Sequence, residues 1–226
     1  MAATNLEIQN QLKVLIDSLS SLYSHDNLQP HYFNYWKQKA GLPKDLNDAP
    51  ECVQNVARAC DLLKIQDVSR LYHVESDYYE WELQQRAFRL RAPSKAHLCK
   101  SVIFENTRCP HESIDDPLNS KYYCVIVQYV GAVNTQKLMN YVRSLKNKEI
   151  SKKNYNFRKS YELTGFENNG VSPIGMRQPI PVILSKSITE IRPSVFYMGG
   201  GHVDWKLAMP TDAFIKATNC FIADLS

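Results

Sequence analysis

No stretch of this 226-residue chain approaches the roughly 20 consecutive apolar residues that a membrane-spanning helix requires, which argues against such a helix. The opening residues, Met1-Ala2-Ala3-Thr4-Asn5, lack the basic-then-apolar profile of a secretory signal, so a cytoplasmic protein with no membrane partner is expected. Cys-x-x-Cys pairs are missing too. The six cysteines (Cys52, Cys60, Cys99, Cys109, Cys124 and Cys220) are scattered, which argues for reduced thiols and against a zinc or redox centre. Cys109-Pro110-His111 has no companions at metal-ligand spacing, and no metal site is expected there. Internal repeats and low-complexity tracts are also absent. Neither sign of charge dominates: 27 Lys and Arg against 23 Asp and Glu leave a net charge of +4, less than a dedicated sequence-reading DNA-binding domain carries.

What is present is the composition of a soluble globular protein, 44% hydrophobic and 22% charged, long enough for a full core plus an accessory segment. The modest basic excess is locally concentrated. Lys137, Arg143, Lys146, Lys148, Lys152, Lys153, Arg158 and Lys159 fall in a stretch whose one acid is Glu149. This cluster reads equally as a phosphate-contacting face or as a solvated helix and loop surface, since Asn147, Asn154 and Asn156 make it loop-like.

Ile8, Leu12, Leu15, Leu19 and Leu22 alternate in steps of four and three, the stripe of an amphipathic helix over 5–24. The aromatic segment from Pro30 to Trp36, and the run Val53, Val56, Ala57, Cys60, Leu63, suggest two further short helices separated by a loop. Residues 1–66 are therefore expected to form a helical extension, and 67–226 a second domain. That domain should open with a strand over 71–74 and a helix over 78–91, capped by Asp77 with Glu80 completing a capping box. Strands are expected at 100–105, 122–129, 181–184, 195–198, 202–207 and 221–225, with helices over 135–145 and 211–217. This order indicates a compact mixed α/β sheet with flanking helices in place of repeating βαβ units.

The segment Thr164-Gly165-Phe166-Glu167-Asn168-Asn169-Gly170-Val171-Ser172-Pro173-Ile174-Gly175 reads as a functional loop feeding the apolar run Ile180 to Leu184. Gly and Asn reach positive φ at low cost and Pro173 biases Ser172 toward an extended conformation, a backbone shaped to present N–H groups. Two other segments stand beside it: Leu98-Cys99-Lys100-Ser101-Val102-Ile103-Phe104, a lysine at the mouth of an apolar strand, and Gly199-Gly200-Gly201-His202-Val203-Asp204. No Ser-His-Asp or Cys-His arrangement can be read from the spacing.

Jointly, these three segments resemble the YbaK/prolyl-tRNA-synthetase-associated editing domain. That family has a Lys-Thr-Leu-Val-like strand, a Gly-x-x-x-Pro loop and a late glycine segment followed by an aspartate. The resemblance covers about residues 68 to 225. It implies a trans-acting aminoacyl-tRNA deacylase that hydrolyses the ester of a mischarged tRNA carrying a small amino acid, with neither metal nor cofactor. The partner implied is the acceptor end of tRNA, with residues 1–66 available to dock a synthetase. Lys100, Gly170 and Asp204 are the catalytic candidates. Lys100 suits a phosphate or carbonyl, Gly170 heads an oxyanion-type set of backbone N–H groups, and Asp204 would bind the substrate amine or orient a water. Asn169, Val171, Ser172, Pro173, Gly199, Gly200 and Gly201 are the binding candidates. His202 is expected to be a surface strand residue without a catalytic role, and attack is expected to be assisted by the tRNA's own ribose hydroxyl. The sequence departs from the family in two places. Asn169 stands where the loop's first glycine usually does, preserving left-handed backbone while putting a side chain at the pocket mouth, and Ser101 replaces a threonine. The alternative is a non-catalytic tRNA- or synthetase-binding module on the same fold.

Overall fold

A strand buried on both faces has no place for alternating polar residues, and Tyr122-Tyr123-Cys124-Val125-Ile126-Val127-Gln128 is such a run. In the computed structural model, which describes residues 5–22, 32, 34–36, 38–43, 45–160 and 164–225, it forms β3 (Tyr122–Gln128) at the centre of a five-stranded sheet. The order is β4 (Phe157–Ser160), β2 (Cys99–Asn106), β3, β5 (Val182–Ser185), β8 (Phe221–Ala223). β4, β2 and β3 pair antiparallel, whereas β3, β5 and β8 run parallel. A second, antiparallel sheet has the order β1 (Arg70–His73), β7 (Trp205–Pro210), β6 (Val195–Gly199). A parallel bridge between Leu98 and Tyr197 ties the start of β2 to β6. The class is mixed α/β.

Alternation along β2 and β3 divides the core. Cys99, Ile103, Cys124 and Ile126 face one apolar cluster, while Phe104, Tyr123, Val125 and Val127 face another. The second cluster is covered by α4 (Thr135–Leu145) through Leu138, Met139 and Val142. Asn134 caps this helix, its Oδ1 accepting from the backbone N–H of Gln136 and Lys137 at 3.0 and 3.1 Å. The first cluster takes Ile188 from α5 (Lys186–Thr189), Phe214 from α6 (Thr211–Thr218) and Val56 and Cys60 from α2 (Glu51–Leu62).

The chain divides into two compact units, Met1–Lys39 and Ala40–Ser226. In the first, α1 (Asn5–Leu22) forms where the stripe predicts it, and Ile8, Leu12, Leu15 and Leu19 are exposed. Tyr32 and Asn34–Trp36 are helical, and the rest of the expected aromatic helix lies outside the described residues. The division differs from the boundary expected near residue 66. Val53, Val56 and Cys60 recur along one face of α2 and are fully buried, so this helix belongs to the core of the second unit. Removal of residues 1–39 is therefore expected to leave a cooperative urea transition. Removal of 1–66 also strips the buried Val53, Val56, Cys60 and Ile65 side chains, each aliphatic one worth about 1.5–3 kcal/mol from a total of about 5–15 kcal/mol, and should abolish it. Circular dichroism checks both truncations, and a cooperative transition in the shorter chain would contradict this assignment.

Three expected elements differ. The helix expected over 78–91 is a 3-10 turn at Tyr78–Glu80, an extended Trp81, then α3 (Leu83–Arg89), opened by a capping box of Glu82 and Gln85 in place of Asp77 and Glu80. The break lets the Arg86 guanidinium reach back to the carbonyls of Tyr79 and Trp81. β4 was expected as loop, yet Tyr155 and Phe157 alternate into the core, and Asn106 fixes the approach by accepting from Asn156 N–H at 2.9 Å. The late strand starts at Trp205, because Trp205 N–H closes a turn onto the His202 carbonyl at 3.0 Å.

Candidate functional site

Four of the ten expected site residues meet around one cavity of about 190 Å³: Lys100 from β2, Asn169 and Val171 from the loop, and Gly199 from the end of β6. Tyr79, Ser101, Tyr129 and Lys159 complete much of its wall. Two lysines thus border it. β4 places Lys159 opposite Phe104, four residues along β2 from Lys100, so the two lie on the same face of the sheet. Lys100 forms no ion pair among the described residues, and its ammonium lies 5.5 Å from the centre of the Tyr129 ring.

The loop is held by its own hydrogen bonds. Asn169 takes the left-handed conformation expected of it, φ 63°. Its N–H is occupied by the Asn168 side chain at 3.1 Å, and its carbonyl accepts from the Tyr79 hydroxyl at 2.8 Å. Gly170 was expected to head the oxyanion set, but its N–H closes a turn onto the Glu167 carbonyl at 3.0 Å, and its carbonyl accepts from Gly201. The N–H of Val171, on a residue that lines the cavity, has no hydrogen bond among the described residues. Ser172 is fully buried and accepts from the Ile174 N–H at 3.2 Å. Pro173 lines a separate groove on the far side of the loop. Both are structural there.

The glycine segment divides likewise. Gly199 is indispensable to the approach of the loop, because a Cβ built on it would stand 2.3 Å from the Val171 carbonyl oxygen. Gly200 donates to the Trp205 carbonyl within the turn, and Gly201, at φ 100°, lies against the Cys52 carbonyl of α2. Neither lines the cavity. Asp204 does not line it either: its carbonyl accepts from Val74 N–H at 2.8 Å, its N–H donates to His202 Nδ1, and its carboxylate lies 3.8 Å from that nitrogen. His202 belongs to the turn and not to the strand. No group of three or more His, Cys, Asp or Glu side chains suited to a metal occurs among the described residues.

This architecture matches solved structures. One, described as a "putative trans-editing enzyme for prolyl tRNA synthetase", aligns with a TM-score of 0.61 at 16% identity over 78% of this chain and 98% of its own. A scaffold protein used for computational epitope backbone grafting gives 0.60 at 15%, over 78% and 97%. The hypothetical protein APE2540 gives 0.57 at 17%, over 76% and 98%. The likeness is one of fold. No protein-family model matches the chain, and no curated protein does.

Behind the cavity lies a group that sequence reasoning missed. Tyr79, Cys99, Tyr129 and Gly199 also wall a smaller inner void, whose other side is formed by Tyr78, Arg86 and Lys206. Lys206 is only 4% exposed. Its ammonium donates to the Val203 carbonyl and sits 4.6 Å from the Tyr79 ring centre and 5.1 Å from that of Tyr78. Arg86 stacks over Tyr79 at 5.2 Å and Tyr129 at 6.0 Å. Burial lowers the Lys206 pKa to about 8, more than the nearby Asp204 carboxylate raises it. Burial pushes the Tyr78, Tyr79 and Tyr129 phenols and the Cys99 thiol up, keeping them neutral. The one sequence signal is a lysine near the start of an otherwise apolar strand, Trp205-Lys206-Leu207-Ala208-Met209.

Proposed function

We propose that the chain is a trans-acting aminoacyl-tRNA deacylase acting on a mischarged tRNA that carries a small amino acid. The observation that carries this reading is the convergence of Lys100, the Asn169–Val171 backbone and Gly199 on one small cavity, within a fold shared with an editing-enzyme structure. A cavity of about 190 Å³ is below the range of about 300–1,000 Å³ of drug-sized pockets, which favours a small aminoacyl group. In this reading Lys100 holds the terminal phosphate or polarises the ester carbonyl. Val171 N–H replaces Gly170 as the loop donor, because the Gly170 N–H is committed to Glu167. Water attacks the ester carbonyl with assistance from the free ribose hydroxyl of the tRNA, and the ribose oxygen of the broken ester leaves as a hydroxyl. Asp204 is left the lesser role of shaping the turn behind the site.

The test is single-turnover deacylation of tRNAs mischarged with alanine, serine, cysteine or threonine. Hydrolysis of at least one ester, with loss in Lys100→Ala, supports the enzyme. Intact esters with tight tRNA binding would favour the non-catalytic module, which the Asn169 side chain at the cavity wall would suit.

The basic cluster supports an RNA partner more narrowly than its composition did. Lys137 and Lys146 pair with Asp224 and Asp116, and Arg143 donates to the Ile150 carbonyl. Lys148, Lys152, Lys153, Arg158 and Lys159 are exposed and form no ion pair among the described residues. Lys159 joins this row to the cavity wall. Lys152→Ala with Lys153→Ala is expected to weaken tRNA binding and to reduce the slope of log K against log salt by about 1.4–1.8 for two lost phosphate contacts. An unchanged slope would assign these lysines to solvation alone.

A further inference from the structure

We infer that Lys206 is a positioning residue for the cavity loop: its buried ammonium anchors the Tyr79 ring, and the Tyr79 hydroxyl in turn fixes the Asn169 carbonyl. The activity arm of this inference rests on the deacylase reading, while its structural arm does not.

Register puts Lys206 directly across from Gly199 on one side and Tyr72 on the other, so its Cα is fixed within the sheet that carries the cavity wall. The side chain has no carboxylate within ion-pair distance among the described residues. It is held by the Val203 carbonyl and by the faces of Tyr78 and Tyr79. A desolvated ammonium held on aromatic faces favours the ring position that keeps the contact. Tyr79 also lines the cavity beside Tyr129, whose ring centre lies 5.5 Å from the Lys100 ammonium, so the same phenol that holds the loop borders the candidate catalytic cation. Removing the charge on Lys206 frees the ring that both depend on.

The charge is removable. The groups facing Lys206 are Tyr78 and Tyr79 from the 3-10 turn, Arg86 from α3 and Asp204 from its own turn, with Tyr129, Tyr197 and Cys99 bordering the same void. Burial holds Tyr78, Tyr79, Tyr129 and Cys99 protonated, whereas Lys206, lowered to about 8, loses its proton through the range around that value. The anchor is present below that value and lost above it.

The experiment follows the ¹³C-methyl resonances of Val171 from pH 6.5 to 9.5 in wild type, Lys206→Arg and Lys206→Met, alongside single-turnover deacylation after subtraction of spontaneous hydrolysis. Expected are a Val171 titration near pH 8 in wild type that disappears in both variants, and a roughly tenfold slower Lys206→Met at pH 7. Lys206→Arg should stay near the wild-type rate at pH 7 and lose the decline above pH 8. Val171 methyls that do not titrate in wild type, or that titrate equally in Lys206→Arg, overturn the inference without need of activity. A wild type that hydrolyses no ester overturns the deacylase reading and leaves the methyl titration to decide the role of Lys206.

Discussion

Lys100→Ala is expected to slow single-turnover deacylation by about 10²–10³-fold, the loss seen when one preorganised charge-stabilising donor is removed. The expectation follows from where the lysine sits. It is placed at the cavity wall by a strand that pairs it with Val127 of β3, so its Cα has little freedom. No acid pairs with it among the described residues, and the aromatic face of Tyr129 at 5.5 Å leaves its N–H donors available to a ligand oxygen. Lys100→Arg should not restore the rate, since a planar fork does not reproduce a compact ammonium in a small cavity. Binding of uncharged tRNA should fall far less, because the exposed row from Lys148 to Lys159 remains. Rates in Lys100→Ala within threefold of wild type would remove the lysine from the chemistry.

Gly199→Ala is the second large effect. The added methyl would meet the Val171 carbonyl oxygen at 2.3 Å and the Gly170 carbonyl oxygen at 3.1 Å. Both are main-chain atoms, so no side-chain rotation relieves the overlap, and either the loop or the end of β6 must move. The expected cost is about 3 kcal/mol, a fall in Tm of roughly 6–12 °C for a unit of this size, with deacylation reduced at least about tenfold because the displaced loop carries Val171. Gly131→Ala is the control: its new methyl would find only the Gln128 carbonyl oxygen, at an ordinary 3.7 Å. Differential scanning calorimetry separates the two, and equal Tm values would refute the close-approach role of Gly199.

The elements legible in the sequence were those whose periodicity reports their own burial. The helix over 135–145 and the central strand near 122–129 carry local patterns strong enough to stand alone, and both form at those positions. The break in the expected 78–91 helix was not legible. It depends on Arg86 capturing the Tyr79 and Trp81 carbonyls and on Lys206, over a hundred positions along the chain, seating beneath the two tyrosines. Of the site, the strand lysine, the loop and the first glycine were legible because each has a local chemical signature. The failure of Gly170 as a donor was not, since a turn bond to Glu167 competes for its N–H. The distance of Asp204 from the cavity was likewise hidden, because a three-residue shift of the late strand put it in a turn.

By itself, then, the sequence determined a mixed α/β chain with a basic, glycine-shaped loop region, since helical and strand periodicity, turn residues and charge are properties of neighbouring residues. Tertiary structure decided which of those residues share a cavity, assigned α2 to the core behind the loop, and converted Lys206 from a strand lysine into a buried cation. Those outcomes rest on burial and on close approach between distant segments. Desolvation, cation–π contact and a backbone passing within one methyl group of another exist only after the chain has closed upon itself.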